Sequence, residues 1–148
     1  MSTVAKILET KGRDVVSIDG GATVLDAAHR MNDKRIGAVV VTNQDQVVGI
    51  FTERDVLYRV VAKQLDPAKT AVRDVMTSPV ACCDPRMTRE ECRSVMRQRR
   101  VRHLPVVENG QLVGIVSIGD ILLEEGAAQQ ETIRYLYEYM SVDWGGGK

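Results

Sequence analysis

The chain has 148 residues, 44% of them hydrophobic and 27% charged, which suits one folded domain or two very small ones packed as a unit and excludes a disordered chain. Twenty Lys plus Arg balance twenty Asp plus Glu, and a formal charge of zero argues against non-specific binding to nucleic acid or to a membrane surface. No apolar run reaches the roughly 18 residues of a spanning helix, and the opening MSTVAKILETKGRDVV lacks a signal-peptide core, so the cytoplasm is the expected address.

In chain order, DVVSI (14–18) reads as a short apolar strand. TVLDAAHRMNDK (23–34) reads as a helix, with Thr23 at the N-cap and Leu25, Ala28 and Met31 at helical spacing. IGAVVVT (36–42) and VVGIFT (47–52) flank the polar turn NQDQ and predict a hairpin, and a further helix starts near Asp55. QLDPAKTAVRDVM reads as a linker broken by Pro67. Beyond it the series recurs. SPVACC (78–83) is the expected strand. TREECRSVMRQR (88–99) is the expected helix, with Thr88 at its N-cap and Cys92, Val95 and Met96 on its apolar face. VRHLPVVE and LVGIVS form a second hairpin, with Asn109-Gly110 as the cleaner turn, and a last helix starts near Asp120. Residues 127–142 place Ile133, Leu136, Tyr137 and Met140 on one face of an additional helix that covers a surface or a partner. The tail SVDWGGGK carries no element signal.

The recurrence is a duplication. A shift of 65 positions lays 23–57 on 88–122 without a gap and pairs Thr23/Thr88, Met31/Met96, Arg35/Arg100, Gly49/Gly114, Ile50/Ile115 and Asp55/Asp120. Each copy reads β-α-β-β-α in roughly 60 residues, too few to bury a good core alone. The expected fold is therefore α/β (α+β), two repeats packed sheet to sheet about a pseudo-twofold axis. The expected boundaries are 1–62, a linker at 63–71, 72–126, and an extra C-terminal helix and tail at 127–148.

The doubled pattern of two apolar residues, Gly, two apolar residues, Ser/Thr-x-x-Asp, preceded by an LPVV-type strand, resembles the cystathionine β-synthase (CBS) domain. Two in tandem resemble a CBS pair, or Bateman module. TERD, RHLPV and SIGD are similar to strings of small stand-alone bacterial CBS-pair proteins. The resemblance covers about residues 4–125. It implies a regulatory module that binds AMP, ATP, NAD(H) or S-adenosylmethionine in clefts between the repeats, without catalysis.

Physical chemistry supports specific residues. In Thr52-x-x-Asp55 and Ser117-x-x-Asp120, a carboxylate at a helix mouth can accept both hydroxyls of a ribose diol, and the hydroxyl three residues earlier suits a phosphate. The same pattern is also a capping box, and the two roles can coexist. The resemblance places Val16, Ile36 and Gly37 on an adenine pocket, with Ala81, Val101 and Arg102 as the second-copy counterparts. Plain core packing is the alternative for each apolar residue. Arg97, Arg99 and Arg100 read as a solvated helix end, where cations suit the macrodipole. Arg102 and His103 are expected on opposite strand faces, one of them toward a cleft, where Gly37 and Ala38 stand in the first copy. Two unequal sites follow. One joins Val16, Ile36, Gly37, His103, Ser117 and Asp120. The other joins Ala81, Val101, Thr52 and Asp55 with Arg54 nearby, and extra phosphates or a dinucleotide suit it.

Cys82, Cys83 and Cys92 make a poor disulfide framework and read as apolar filler, and no metal-ligand spacing is present. Cys82 and Cys83 are expected on a core strand. The sequence shows no Walker loop, no G-x-G-x-x-G and no evident nucleophile–base pair, and its sparse aromatics offer no RNA-stacking platform. The expectation is a non-enzyme that forms a homodimer and signals to an unidentified regulated protein. A ligand-independent dimerisation scaffold is the alternative, with apolar helix faces at 55–62, 120–125 and 133–140.

Overall fold

The computed structural model describes residues 2–123. The first repeat holds a three-stranded sheet, β1 (Ser17–Asp19) parallel to β2 (Ala38–Asn43), with β3 (Gln46–Thr52) antiparallel to β2. The second holds the hairpin β4 (His103–Glu108) and β5 (Gln111–Ser117). Helix α2 (Val24–Lys34) precedes the first hairpin and α5 (Arg89–Arg99) the second. Thr23 and Thr88 cap them in full capping boxes with Asp26 and Glu91, as their spacing predicts. Both hairpins turn through two residues of positive φ, Gln44 and Asp45 in one, Asn109 and Gly110 in the other. That is the twist-matched turn of tight hairpins. Both carry a bulge at the same place, after Val41 and after Val106. β3 and β5 meet across the repeats.

Neither repeat closes its core with its own chain order. Helix α1 (Val4–Lys11) precedes the first repeat, yet Val4, Ile7 and Leu8 are buried with Cys92, Met96, Leu104, Val116 and Ile121 of the second. Helix α4 (Val72–Val75) precedes the second repeat, yet Val72 and Val75 are buried with Ile18, Val24, Phe51 and Val60 of the first. The hydrogen bonds repeat as well: Val4 N to Met87 O and Ala5 N to Pro85 O, against Val72 N to Ala22 O and Arg73 N to Gly20 O. Gly49 and Gly114 permit the crossing. A Cβ at Gly49 would stand 2.8 Å from the Thr77 carbonyl, and one at Gly114 would stand 2.8 Å from a Leu8 methyl. The glycine of the duplicated motif is therefore the contact point for the exchanged segment.

Four sequence expectations change. SPVACC forms no strand; only Cys83 bridges to Val106. The first repeat uses Val40 N to Val16 O in its ladder, and at the equivalent position Pro105 has no N–H to give Ala81. Cys82 is exposed, whereas Cys83 and Cys92 are buried. The buried face of α2 is Val24, Ala27 and Met31, with Leu25 outside, because α4 packs on the Val24 side. The helix from Asp55 is a single turn, α3 (Glu53–Asp55), that widens into a π-helical stretch over Val56–Val61. Another helix begins at α6 (Ile118–Leu123), and the predicted helix at 127–142 lies outside the described residues.

The crossing gives a graded prediction. Gly49→Ala lowers unfolding free energy by about 1–3 kcal/mol, because a backbone carbonyl cannot step aside. Gly114→Ala loses less, because Leu8 can shift its side chain. Urea unfolding of the two variants checks the order, and equal losses would count against the crossing as described.

Candidate functional site

Each repeat ends a hairpin strand in the same device. Thr52 and Ser117 cap α3 and α6, and the carboxylate three residues on returns to the cap's own backbone N–H. Thr52 N donates to Asp55 Oδ2 at 3.0 Å and Ser117 N to Asp120 Oδ2 at 2.8 Å. Asp55 N and Asp120 N donate back to Thr52 Oγ1 and Ser117 Oγ. The capping box predicted from Ser/Thr-x-x-Asp is thus present twice; Asp55 lines a cleft, and Asp120 is paired with Lys11, which lines another.

The surroundings differ. Asp55 is only 5% exposed. Thr77 Oγ1 donates to Oδ1 at 3.1 Å, and Arg59 Nε lies 3.5 Å from the same oxygen. Its cleft, about 290 Å³, is lined by Gly37, Ile50, Thr52, Glu53, Arg54, Tyr58, Thr77 and Val101, and by Arg59, Arg99, Arg100, Arg102 and His103. Arg99 and Arg100 are solvated, as the helix-end reading expects, but they also form one wall of this cleft. Arg100 is held in the left-handed region at φ 55°, as is its counterpart Arg35. Such a conformation costs a non-glycine residue on the order of 1 kcal/mol. Ala81 lies in a narrower continuation of about 90 Å³ with Ile50, Thr77, Val80, Val101 and His103.

The cleft on the Asp120 side is about 300 Å³. Val16, Ile36, Gly37, His103 and Ser117 line it together with Ala38, Lys11, Asp14, Val15 and Ile115, whereas Asp120, the sixth residue of the expected group, is not in the lining and stands behind Lys11. Both clefts sit at the lower end of the roughly 300–1,000 Å³ range of small-molecule sites. Asp120 meets Lys11 in an ion pair of 2.7 Å. Ile36 and Gly37 also line an outer hollow of about 500 Å³ with Arg35 and Glu53, and neither Asp55 nor Asp120 is in its lining.

Arg102 and His103 are not divided between faces. Arg102 precedes β4, so strand alternation does not apply to it, and both residues line the Asp55 cleft. His103 borders the Asp120 cleft as well, which puts one imidazole between the two sites. Sequence reasoning missed Lys11, Thr77 and Arg59. Val4, Ile7 and Leu8 at helical spacing signal α1, and Arg59 is four residues from Asp55 on a helix. Thr77 had no signal, because only the exchange brings it to Asp55. Among the described residues, no His, Cys, Asp and Glu cluster is placed to hold a metal, and no helix is long and apolar enough to cross a membrane.

Comparison with known proteins adds three findings. The family model for the CBS domain matches residues 4–62 and 72–125. The CBS-domain containing protein ATU1752 from Agrobacterium tumefaciens is 39% identical with a TM-score of 0.79, over 84% of this chain and 100% of that one. The CBS domain protein PAE2072 from Pyrobaculum aerophilum, complexed with AMP, is 32% identical with a TM-score of 0.72, over 82% of this chain and 96% of that one. An uncharacterized protein, MK0525 of Methanopyrus kandleri, is 37% identical over 119 residues, which are 79% of this chain but 61% of that protein.

Burial lowers the His103 pKa from 6.5, Lys11 and Arg102 lower it further, and Asp120 and Glu53 oppose them. The unfolded chain therefore takes the proton first, and stability contributed at neutral pH is lost as pH falls through 6.5 toward the folded value. His103→Gln flattens that part of the stability–pH profile, and a thermal-unfolding series from pH 8 to pH 5 measures it. An unchanged slope in the variant would assign the loss to other groups.

Proposed function

We propose a function from the premise that the chain belongs to the CBS domain family, as a tandem pair: it is a regulatory module that binds an adenine nucleotide between its repeats. One observation carries the reading. Two nucleotide-sized clefts lie beside the duplicated capping boxes, one lined by Asp55 itself and the other by Ser117 and by Lys11, which is paired with Asp120, in a fold whose Pyrobaculum relative is complexed with AMP. In the Asp120 cleft, Val16, Ile36 and Gly37 give the base apolar walls and open backbone, Asp120 takes the ribose hydroxyls, and Ser117 with the α6 mouth takes phosphate. The Asp55 cleft, walled by Arg54, Arg59, Arg99, Arg100 and Arg102, suits a ligand with more phosphates, such as ATP or NAD(H). A diol reaching Asp55 has to displace Thr77 or Arg59 from its carboxylate.

Output follows from differential affinity for two arrangements of the repeats, read by a second copy or by a regulated protein. Leu57, Tyr58, Val61 and Leu65 are exposed together beside the Asp55 cleft, and Leu123 is exposed on α6. These faces favour a homodimer and keep a ligand-independent scaffold as the second reading. The three free thiols suit a reducing compartment, which makes the cytoplasm the proposed address.

Calorimetry with AMP, ATP, NAD, NADH and S-adenosylmethionine tests the module. AMP binds in the micromolar range, and Asp120→Ala weakens it by about ten- to a hundredfold, the loss of one charge-assisted hydrogen bond or more. If every one of these ligands binds only above millimolar, the nucleotide reading is wrong. Sedimentation velocity with and without the bound nucleotide separates the readings, since a dimer indifferent to all five ligands supports the scaffold.

A further inference from the structure

One side chain in the Asp120 cleft has no counterpart in the other copy. Lys11, the last residue of α1, places Nζ 2.7 Å from Asp120 Oδ2 and 2.9 Å from the Ile115 carbonyl. In the first repeat, the carbonyl equivalent to that of Ile115 belongs to Ile50, and it accepts the backbone N–H of Thr77 at 2.8 Å. The exchanged segment therefore delivers an ammonium where its duplicate delivers a main-chain amide. The opposed carboxylates also differ in what the exchanged segment brings: Thr77 gives Asp55 a neutral hydroxyl, its cation Arg59 coming from its own helix at 3.5 Å, whereas Lys11 gives Asp120 a full charge at 2.7 Å.

This charge sits where a diol has to bind. Asp120 Oδ2 already accepts Ser117 N and Lys11 Nζ. Both of these bonds fall on Oδ2 and neither on Oδ1. A vicinal diol brings two O–H donors, and with Lys11 in place only one of them finds an oxygen with room. Leaving Oδ2 costs the ammonium its ion pair and the Ile115 carbonyl, and an anionic group brought into the cleft offsets that loss where water and Asp14 offset less of it. Its side chain is 29% exposed, on the wall of the cleft, and the chain turns away immediately at Gly12 (φ 97°). The lysine can therefore swing without moving α1.

We propose that Lys11 is an ionic latch that makes the Asp120 cleft selective for ligands carrying both an anionic group and a vicinal diol. The anionic group draws the ammonium off Oδ2, and the freed carboxylate takes both hydroxyls. A neutral nucleoside offers the diol and nothing for the ammonium. The inference rests on the nucleotide reading above and adds the reason a phosphate is required.

Site-resolved NMR separates the two. The Ser117 amide, hydrogen-bonded to Asp120, reports this cleft alone during titration with AMP and with adenosine. In the wild-type protein AMP binds at least about tenfold more tightly than adenosine. In Lys11→Met and Lys11→Gln, adenosine binding strengthens by about tenfold while AMP binding weakens, and the preference collapses from both sides. A lysine that only attracts phosphate would weaken AMP and leave adenosine unchanged, and that result overturns the latch while nucleotide binding stands. If neither ligand moves the Ser117 amide in any of the three proteins, the nucleotide reading of this cleft fails and the latch fails with it.

Discussion

The exchange of short helices between the repeats is the constraint on which the molecule depends. A repeat of this size exposes too much surface to hold a core alone. α1 and α4 each complete the core that belongs to the other copy, so the two halves fold as one object. The exchanged segments cross β3 and β5 at Gly49 and Gly114, the two positions where a side chain would collide with the passing chain. A glycine that looks like motif decoration is thus the space through which the halves are joined.

The same crossing builds the clefts. Each carboxylate is fixed from its own chain by a capping box and met from the exchanged segment by a second partner. Asp55 receives the Thr77 hydroxyl and Asp120 the Lys11 ammonium. Duplication made the sites alike, and the exchanged segments made them different. The arginines at the end of α5 and before β4 deepen the asymmetry, because they gather on the Asp55 side, while His103 stands between both.

Much of this was legible in the residues. Thr23 and Thr88 announce their helices because capping is local chemistry, and the paired Ser/Thr-x-x-Asp announces its capping box for the same reason. The grouping of Val16, Ile36, Gly37, His103 and Ser117 in one cleft was what the resemblance to the CBS domain implied, and Asp120, grouped with them, stands behind Lys11 instead of in the lining. The failures are as instructive. SPVACC has strand composition, but a strand needs a partner's amide, and Pro105 withholds it. α2 was read with Leu25, Ala28 and Met31 on its apolar face, and the buried face of Val24, Ala27 and Met31 is set by α4, a segment that reads as linker.

Local sequence determined what local forces control: caps, tight turns, the duplicated order of strands and helices, and two carboxylates at two helix mouths. Only the tertiary structure decided which half each flanking helix completes, because that depends on apolar area buried far along the chain and on two glycines narrow enough to let a segment pass. For the same reason Lys11 and Thr77 belong to the clefts although nothing beside them in sequence says so. Their partners lie 109 and 22 positions away and are reached only through the fold.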